Sequence, residues 1–228
     1  CSFAIIFSFS FYIAAQFQAA GGTFASSFNM DASQAIILGT LIILIYTLLG
    51  GFWAVSVTDT LQGSLMALTA IVLPTAAVIQ VGGFSEIYSG LHTQFTPQQL
   101  SFTGVHSGWM AFAFVLGMLG IGLGNPGQPH VINRFMALKD KQSIKTATYI
   151  GIGWPVIVYG GMLILGLCAR ILVPNAENNE QILFGVTALL FHPVVAGIII
   201  AAVLSAIMST ADSQLLVAAS SISYDLKD

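Results

Sequence analysis

Long apolar runs separated by short polar connectors dominate the chain. Six of them, 2–28, 33–50, 54–81, 107–128, 146–173 and 193–221, approach or exceed the ~20 apolar residues that a helix needs to cross a bilayer. They are longer than the ~10 residues of a membrane β-strand and lack its strict alternation. The pattern therefore predicts an all-α integral membrane protein with about six transmembrane helices. Gly82-Gly83 and Thr96-Pro97 punctuate the polar stretch 82–106, which has room for a short surface helix. The runs are too uneven for a short-period solenoid, so a single transmembrane domain over 1–228 is the simplest organisation.

Composition narrows the class. Of 228 residues, 56% are hydrophobic and 7% charged, where soluble domains carry roughly 25% charged residues. An ordinary water-soluble protein is excluded, and the lipid bilayer is the expected surrounding. The net charge of -3 leaves no Lys/Arg patch able to neutralise a run of phosphates, so nucleic acid is not an expected partner. Cys1 and Cys168 lie far apart in apolar surroundings, which suits neither a disulfide framework nor a thiolate metal site. His92 and His106 fall in a polar connector, and His130 and His192 flank prolines; none has ligand spacing, and each reads as a structural histidine. The chain starts inside an apolar run with no initiator Met, basic n-region or cleavage signal, so it reads as an internal fragment and not a signal peptide.

Basic residues set the orientation, because short cytoplasmic loops hold the excess Lys and Arg. Arg134, Lys139, Lys141 and Lys145 crowd the connector after the fourth run, and Lys227 follows the sixth. Loop 129–145 and both chain ends are therefore expected in the cytoplasm. Loop 82–106, without Lys or Arg, and the loop around Glu177 and Glu180 are expected outside, with Arg170 snorkelling from an outer helix end.

Two segments carry candidate chemistry. The fourth run ends Gly120-Ile121-Gly122-Leu123-Gly124-Asn125-Pro126-Gly127-Gln128-Pro129-His130. Prolines lacking an N–H and glycines that lower the cost of unwinding predict an irregular backbone there. At membrane depth, such backbone is tolerated where it is buried in protein or lines a wet cavity, as in discontinuous transporter helices. A kinked helix packed through Gly120 and Gly124 is the alternative, although Asn125 and Gln128 add polar groups that a packing face does not need. The sixth run places Ser205, Ser209, Thr210, Asp212, Ser213 and Gln214 in an apolar helix, with Ser205, Ser209 and Asp212 on one face. Hydroxyl and carboxylate oxygens suit a hard monovalent cation. Each hydroxyl can equally donate to the carbonyl one turn back, but a carboxylate in mid-span costs ~3 kcal/mol and should face a pathway or a partner. Asp59, about two turns into the third run, either lines an inner exit route or caps a helix start. Tyr12, with Gln16 and Gln18, forms a polar strip in the first run that contacts a solute or a neighbouring helix.

Three runs, Leu49-Gly-Gly-Phe-Trp-Ala-Val-Ser-Val-Thr-Asp-Thr-Leu-Gln, Gly127-Gln-Pro-His-Val-Ile-Asn-Arg-Phe-Met-Ala and Ala206-Ile-Met-Ser-Thr-Ala-Asp-Ser-Gln-Leu-Leu, together resemble the sodium/solute symporters, most closely the sodium/proline branch. The resemblance extends over essentially the whole chain. It implies a partial LeuT-type inverted-repeat fold, the six runs being core helices three to eight of ten, with core helices 1, 2, 9 and 10 absent. It also implies sodium as the coupling ion, no organic cofactor, and a small-molecule solute. On this likeness, Ala206 offers its carbonyl and Ser209 and Thr210 their hydroxyls to sodium, half of a site shared with the missing first core helix. Asp59, Ser209, Asp212 and Ser213 map onto a second cation site, or a proton held between two acids. Tyr12, Ile121, Asn125, Gln128 and Pro129 map onto the solute pocket.

Tyr12 and Pro129 match the sodium/proline pattern, whereas Ile121 stands where that branch has Trp and Asn125 where it has Tyr. The altered wall gives weight to another amino acid or a small carboxylate beside proline. The implied activity is sodium-coupled symport across the plasma (inner) membrane. A transporter-like sensor domain of a signalling protein is the second reading. A membrane enzyme is the weakest, since no nucleophile–base pair or metal signature is present.

Overall fold

Backbone in lipid must satisfy its own polar groups, and a helix does so within one segment. In the computed structural model of the chain, which describes residues 2–174 and 181–225 but not the side chain of Ile121, every regular element is accordingly helical. The order is α1 (Ser2–Phe28), α2 (Ala32–Val81), α3 (Phe84–Gln94), α4 (Gly108–Gly124), a 3₁₀ turn (Asn125–Gly127), α5 (Pro129–Met136), α6 (Lys141–Leu172), α7 (Ile182–Leu190) and α8 (Pro193–Ser220), with a π turn at Ser221–Asp225. Cys1, Glu177, Glu180 and Lys227 lie outside the described residues.

Among the described residues, five helices are long and apolar enough to cross a membrane. The expected six differ from these five at α2, whose 50 residues hold both the 33–50 and the 54–81 runs. The two arms meet at Gly51, whose torsions (φ 57°, ψ -164°) interrupt the helix. Glycine takes that conformation without a side-chain clash. With no polar connector after it, helical bonding resumes at once. Connector 82–106 contains α3, and a nine-residue helix, α7, too short to span a bilayer, occupies the stretch before α8.

The chain divides into two compact units, Cys1–Thr69 with His192–Asp228, and Ala70–Phe191. In the first, α1 packs along α8. Phe9, Ile13 and Val217 form one buried cluster, and Ala20, Ile43 and Ala211 a second that draws in Tyr46, Ile207 and Met208. The turn from α1 to α2 is set locally. Asn29 takes a left-handed φ of 51°, a frequent helix terminator, and the Asp31 carboxylate accepts the Ser33 N–H at 2.9 Å at the start of α2. Small residues then bring the helices together: a Cβ on Gly21 would lie 2.2 Å from Ile36 Cγ1 and 2.7 Å from Ile36 Cα.

The second unit uses the same device. A Cβ on Gly161 of α6 would fall 2.0 Å from the carbonyl oxygen of Ala70. α3 packs on α6, with Gly90 against Ile171, and the Arg170 guanidinium lies 6.0 Å from the centre of the Phe95 ring. Asp140 caps α6 by accepting the Ser143 N–H at 2.8 Å. By contrast, the apolar window of the Gly108–Met136 segment buries none of its residues.

Candidate functional site

The hydroxyls expected to matter in α8 converge on one oxygen. Ser209 Oγ donates to the Ala206 carbonyl at 3.1 Å and Thr210 Oγ1 donates to the same carbonyl at 3.0 Å. Such back-bonding is general in this chain, since Thr23, Thr47 and Ser64 each donate to the carbonyl four residues earlier. By itself it marks no site. What sets α8 apart is the next turn, where Asp212, Ser213 and Gln214 are all buried, Asp212 at 0% exposure. A cluster of carbonyl, hydroxyl and carboxylate oxygens without a soft ligand has the donor chemistry of a hard cation site.

Asp212 is held from two directions. Its Oδ2 accepts the hydroxyl of Tyr46 from α2, and its Oδ1 lies 3.2 Å from Ser213 Oγ, which donates to the Ser209 carbonyl at 2.6 Å. Asp59 is near enough for its charge to act on both Tyr46 and Asp212. Asp59, Ser209, Asp212 and Ser213 thus belong to one neighbourhood within the first unit. The helix-cap reading of Asp59 is overturned, because Asp59 lies inside α2, eight residues beyond the interruption at Gly51. Gln214, 1% exposed, has neither amide atom in a hydrogen bond among the described residues.

Sequence reasoning passed over Tyr46. A lone aromatic in an apolar run reads as packing or lipid contact. The signal that was available is the phenol itself, since a Tyr hydroxyl inside a span needs a polar partner, and α8 is the run that supplies a carboxylate, Asp212.

The other expected segment breaks over a shorter stretch than 120–129. Gly120, Gly122 and Gly124 stay in α4; only Asn125–Gly127 tighten to a 3₁₀ turn, and Gln128 is extended (φ -70°, ψ 134°). Glycine merely permits unwinding, whereas Pro129 disfavours a helical Gln128 and then starts α5 at the position where its missing N–H costs nothing. The Asn125 carbonyl accepts the Gln128 N–H at 3.2 Å, and the Gln128 carbonyl accepts from Val131 and Ile132 at 3.0 and 3.1 Å. Asn125 is exposed, Gln128 and Pro129 are half-buried, and the side chain of Ile121 lies outside the described residues. Tyr12, in the first unit, is 46% exposed.

The profile of the sodium:solute symporter family matches residues 1–227. The chain is 35% identical over 227 residues to the osmoregulated proline transporter OpuE of Bacillus subtilis, covering 97% of this chain and 45% of that protein. It is 34% identical over 225 residues to the sodium/proline symporter of Staphylococcus aureus, covering 97% of this chain and 43% of that protein. The chain thus spans about half the length of the curated relatives it matches. No solved structure matches it.

Proposed function

Because the chain belongs to the sodium:solute symporter family, we propose that the full-length protein is a sodium-coupled symporter of a small organic solute, proline or another amino acid. The observation that carries this reading is the burial of Asp212, Ser213 and Gln214 directly beyond the Ala206 carbonyl and the Ser209 and Thr210 hydroxyls that converge on it. The carbonyl and the two hydroxyls form this chain's share of a sodium site. Asp59, Asp212 and Ser213, with Ser209, form a second cation site. Both relatives are described by name as proline transporters or symporters, which supports proline as the first solute to test.

The fold we assign is the LeuT-type inverted repeat within one membrane domain, with the six helical arms as core helices three to eight, α2 counting as two. By the family resemblance, Tyr12 of the first unit and, separately, Ile121, Asn125, Gln128 and Pro129 of the second are the positions we assign to solute binding. The exposed amide of Asn125 favours a second solute class, polar amino acids or small carboxylates, because an amide offers a donor and an acceptor where an aromatic ring offers a face. Loop 129–145 faces the cytoplasm of a plasma (inner) membrane protein. Sodium enters from outside, stabilises the outward-open form, and leaves inward with the solute. The membrane potential supplies about 2.3 kcal/mol per charge per 100 mV.

The test is sodium-dependent uptake of proline, other amino acids and small carboxylates by the full-length protein in vesicles. Ser209→Ala combined with Thr210→Ala is expected to weaken sodium activation by about 100-fold, each lost oxygen–cation contact contributing about 1.5 kcal/mol or more. Unchanged sodium activation in that double variant, or uptake independent of sodium in the unaltered protein, would refute the reading.

A further inference from the structure

We propose that Tyr46 is a positioning residue for the second cation site: it ties one oxygen of Asp212 to α2 and thereby presents the other, Oδ1, as the oxygen that holds the cation. The inference rests on the symporter reading and adds a residue that lies outside all three runs carrying the family resemblance.

The geometry divides the carboxylate into two unlike ends. Oδ2 accepts the Tyr46 hydroxyl, and the same hydroxyl lies 3.2 Å from the carbonyl of Met208, four residues before Asp212. Tyr46 therefore spans a full turn of α8. Its ring is fixed by packing against the buried cluster of Ala20, Ile43 and Ala211, contributed by α1, α2 and α8. A tyrosine packed on three helices has little rotational freedom left, so the oxygen it grips is fixed as well.

Oδ1 has a different neighbour. Ser213 Oγ lies 3.2 Å away but carries a single proton, and it also donates to the Ser209 carbonyl at the shorter distance of 2.6 Å. When that proton serves the carbonyl, two oxygens carrying lone pairs face each other, an arrangement that a bound cation relieves. Asp59 adds a second carboxylate whose charge reaches Asp212. Without the Tyr46 hydroxyl, the Asp212 carboxylate is free to rotate about its terminal torsion, which is broad and roughly two-fold, and the separation of roles between its oxygens is lost.

The experiment uses the full-length protein in proteoliposomes, with radioactive sodium binding, its competition by lithium, and solute binding at saturating sodium. Tyr46→Phe keeps the ring and removes only the hydroxyl. The expected result is about a tenfold loss of sodium affinity and a changed lithium-to-sodium preference, with solute binding at saturating sodium retained. In an Asp212→Asn background, Tyr46→Phe should add nothing further, since the two act through one oxygen.

A Tyr46→Phe protein with unaltered sodium affinity and ion preference would overturn the proposal, as would effects that simply multiply with those of Asp212→Asn. Loss of solute binding at saturating sodium would assign Tyr46 to helix packing and overturn it too. Absence of sodium binding in the unaltered protein would instead defeat the symporter reading itself, an outcome visible before any variant is made.

Discussion

Residues 206–214 of α8 and residues 125–129 between α4 and α5 send similar signals in sequence, polar groups set into apolar runs. Their surroundings differ sharply. In α8, Asp212, Ser213 and Gln214 are buried, and Asp212 is bonded to a side chain 166 residues away. At 125–129, the backbone hydrogen bonds are local, Asn125 is exposed, and the apolar window of the Gly108–Met136 segment buries no residue. Segment 206–214 is thus held by packing and long-range polar contacts. Segment 125–129 is shaped by what its own prolines forbid.

If that contrast is right, glycine substitutions should separate the two regions most strongly. Gly21→Ala in the α1–α2–α8 unit puts a Cβ within 2.7 Å of the Ile36 backbone, where no side chain can move aside to relieve it. Overpacking of this kind typically costs about 1–3 kcal/mol, here expected at the upper end because the atom met is backbone. Gly124→Ala meets nothing within 4 Å, and alanine gains up to ~1 kcal/mol of helix propensity over glycine. Thermal unfolding of the full-length protein in detergent should therefore show a marked fall for Gly21→Ala and none for Gly124→Ala. Equal tolerance at both would erase the difference between the regions.

The same contrast explains what could be read without coordinates. The all-helical class follows from run length and the need of a lipid-exposed backbone to bond to itself. The break near Pro129 was visible because proline acts on its immediate predecessor, an effect written into adjacent residues. The break is shorter than the glycines suggest: Gly120, Gly122 and Gly124 remain helical because glycine lowers a cost without imposing a direction. Tyr46 was illegible for the opposite reason. Its role depends on Asp212, and no local rule pairs a tyrosine with a carboxylate 166 positions later. Asp59 likewise caps no helix start, because the interruption at Gly51 lies well before it in α2.

A mid-sized effect is expected at the second region, to which we assign solute binding. Pro129→Ala lifts the restriction on Gln128 and supplies the missing N–H, so α4 and α5 can join through a helical Gln128. Solute affinity should fall on the order of tenfold, as pre-organised carbonyls are lost, while sodium affinity measured without solute stays unchanged. A parallel fall in sodium affinity would mean that the two regions are not separable in this way.

The smallest effect tests how far local chemistry continues beyond α5. The Ser143 backbone N–H, and with it the Ser143 hydroxyl, holds the exposed Asp140 carboxyl below the usual aspartate range. A folded value below the unfolded one means that the cap's stabilisation is fully present above the ordinary aspartate pKa of ~3.9 and is lost as pH falls through the lowered folded value. Amide exchange at residues 141–144 should therefore be slow near neutrality and accelerate in acid beyond the intrinsic pH dependence. Asp140→Asn keeps an equally good cap but has no proton to take up. It should leave exchange near neutrality almost unchanged and remove the extra acceleration in acid. If the asparagine variant accelerated in the same way, the start of α6 would be governed by packing, as α8 is, and the line between the two regions would have to be drawn before Asp140 and not after it.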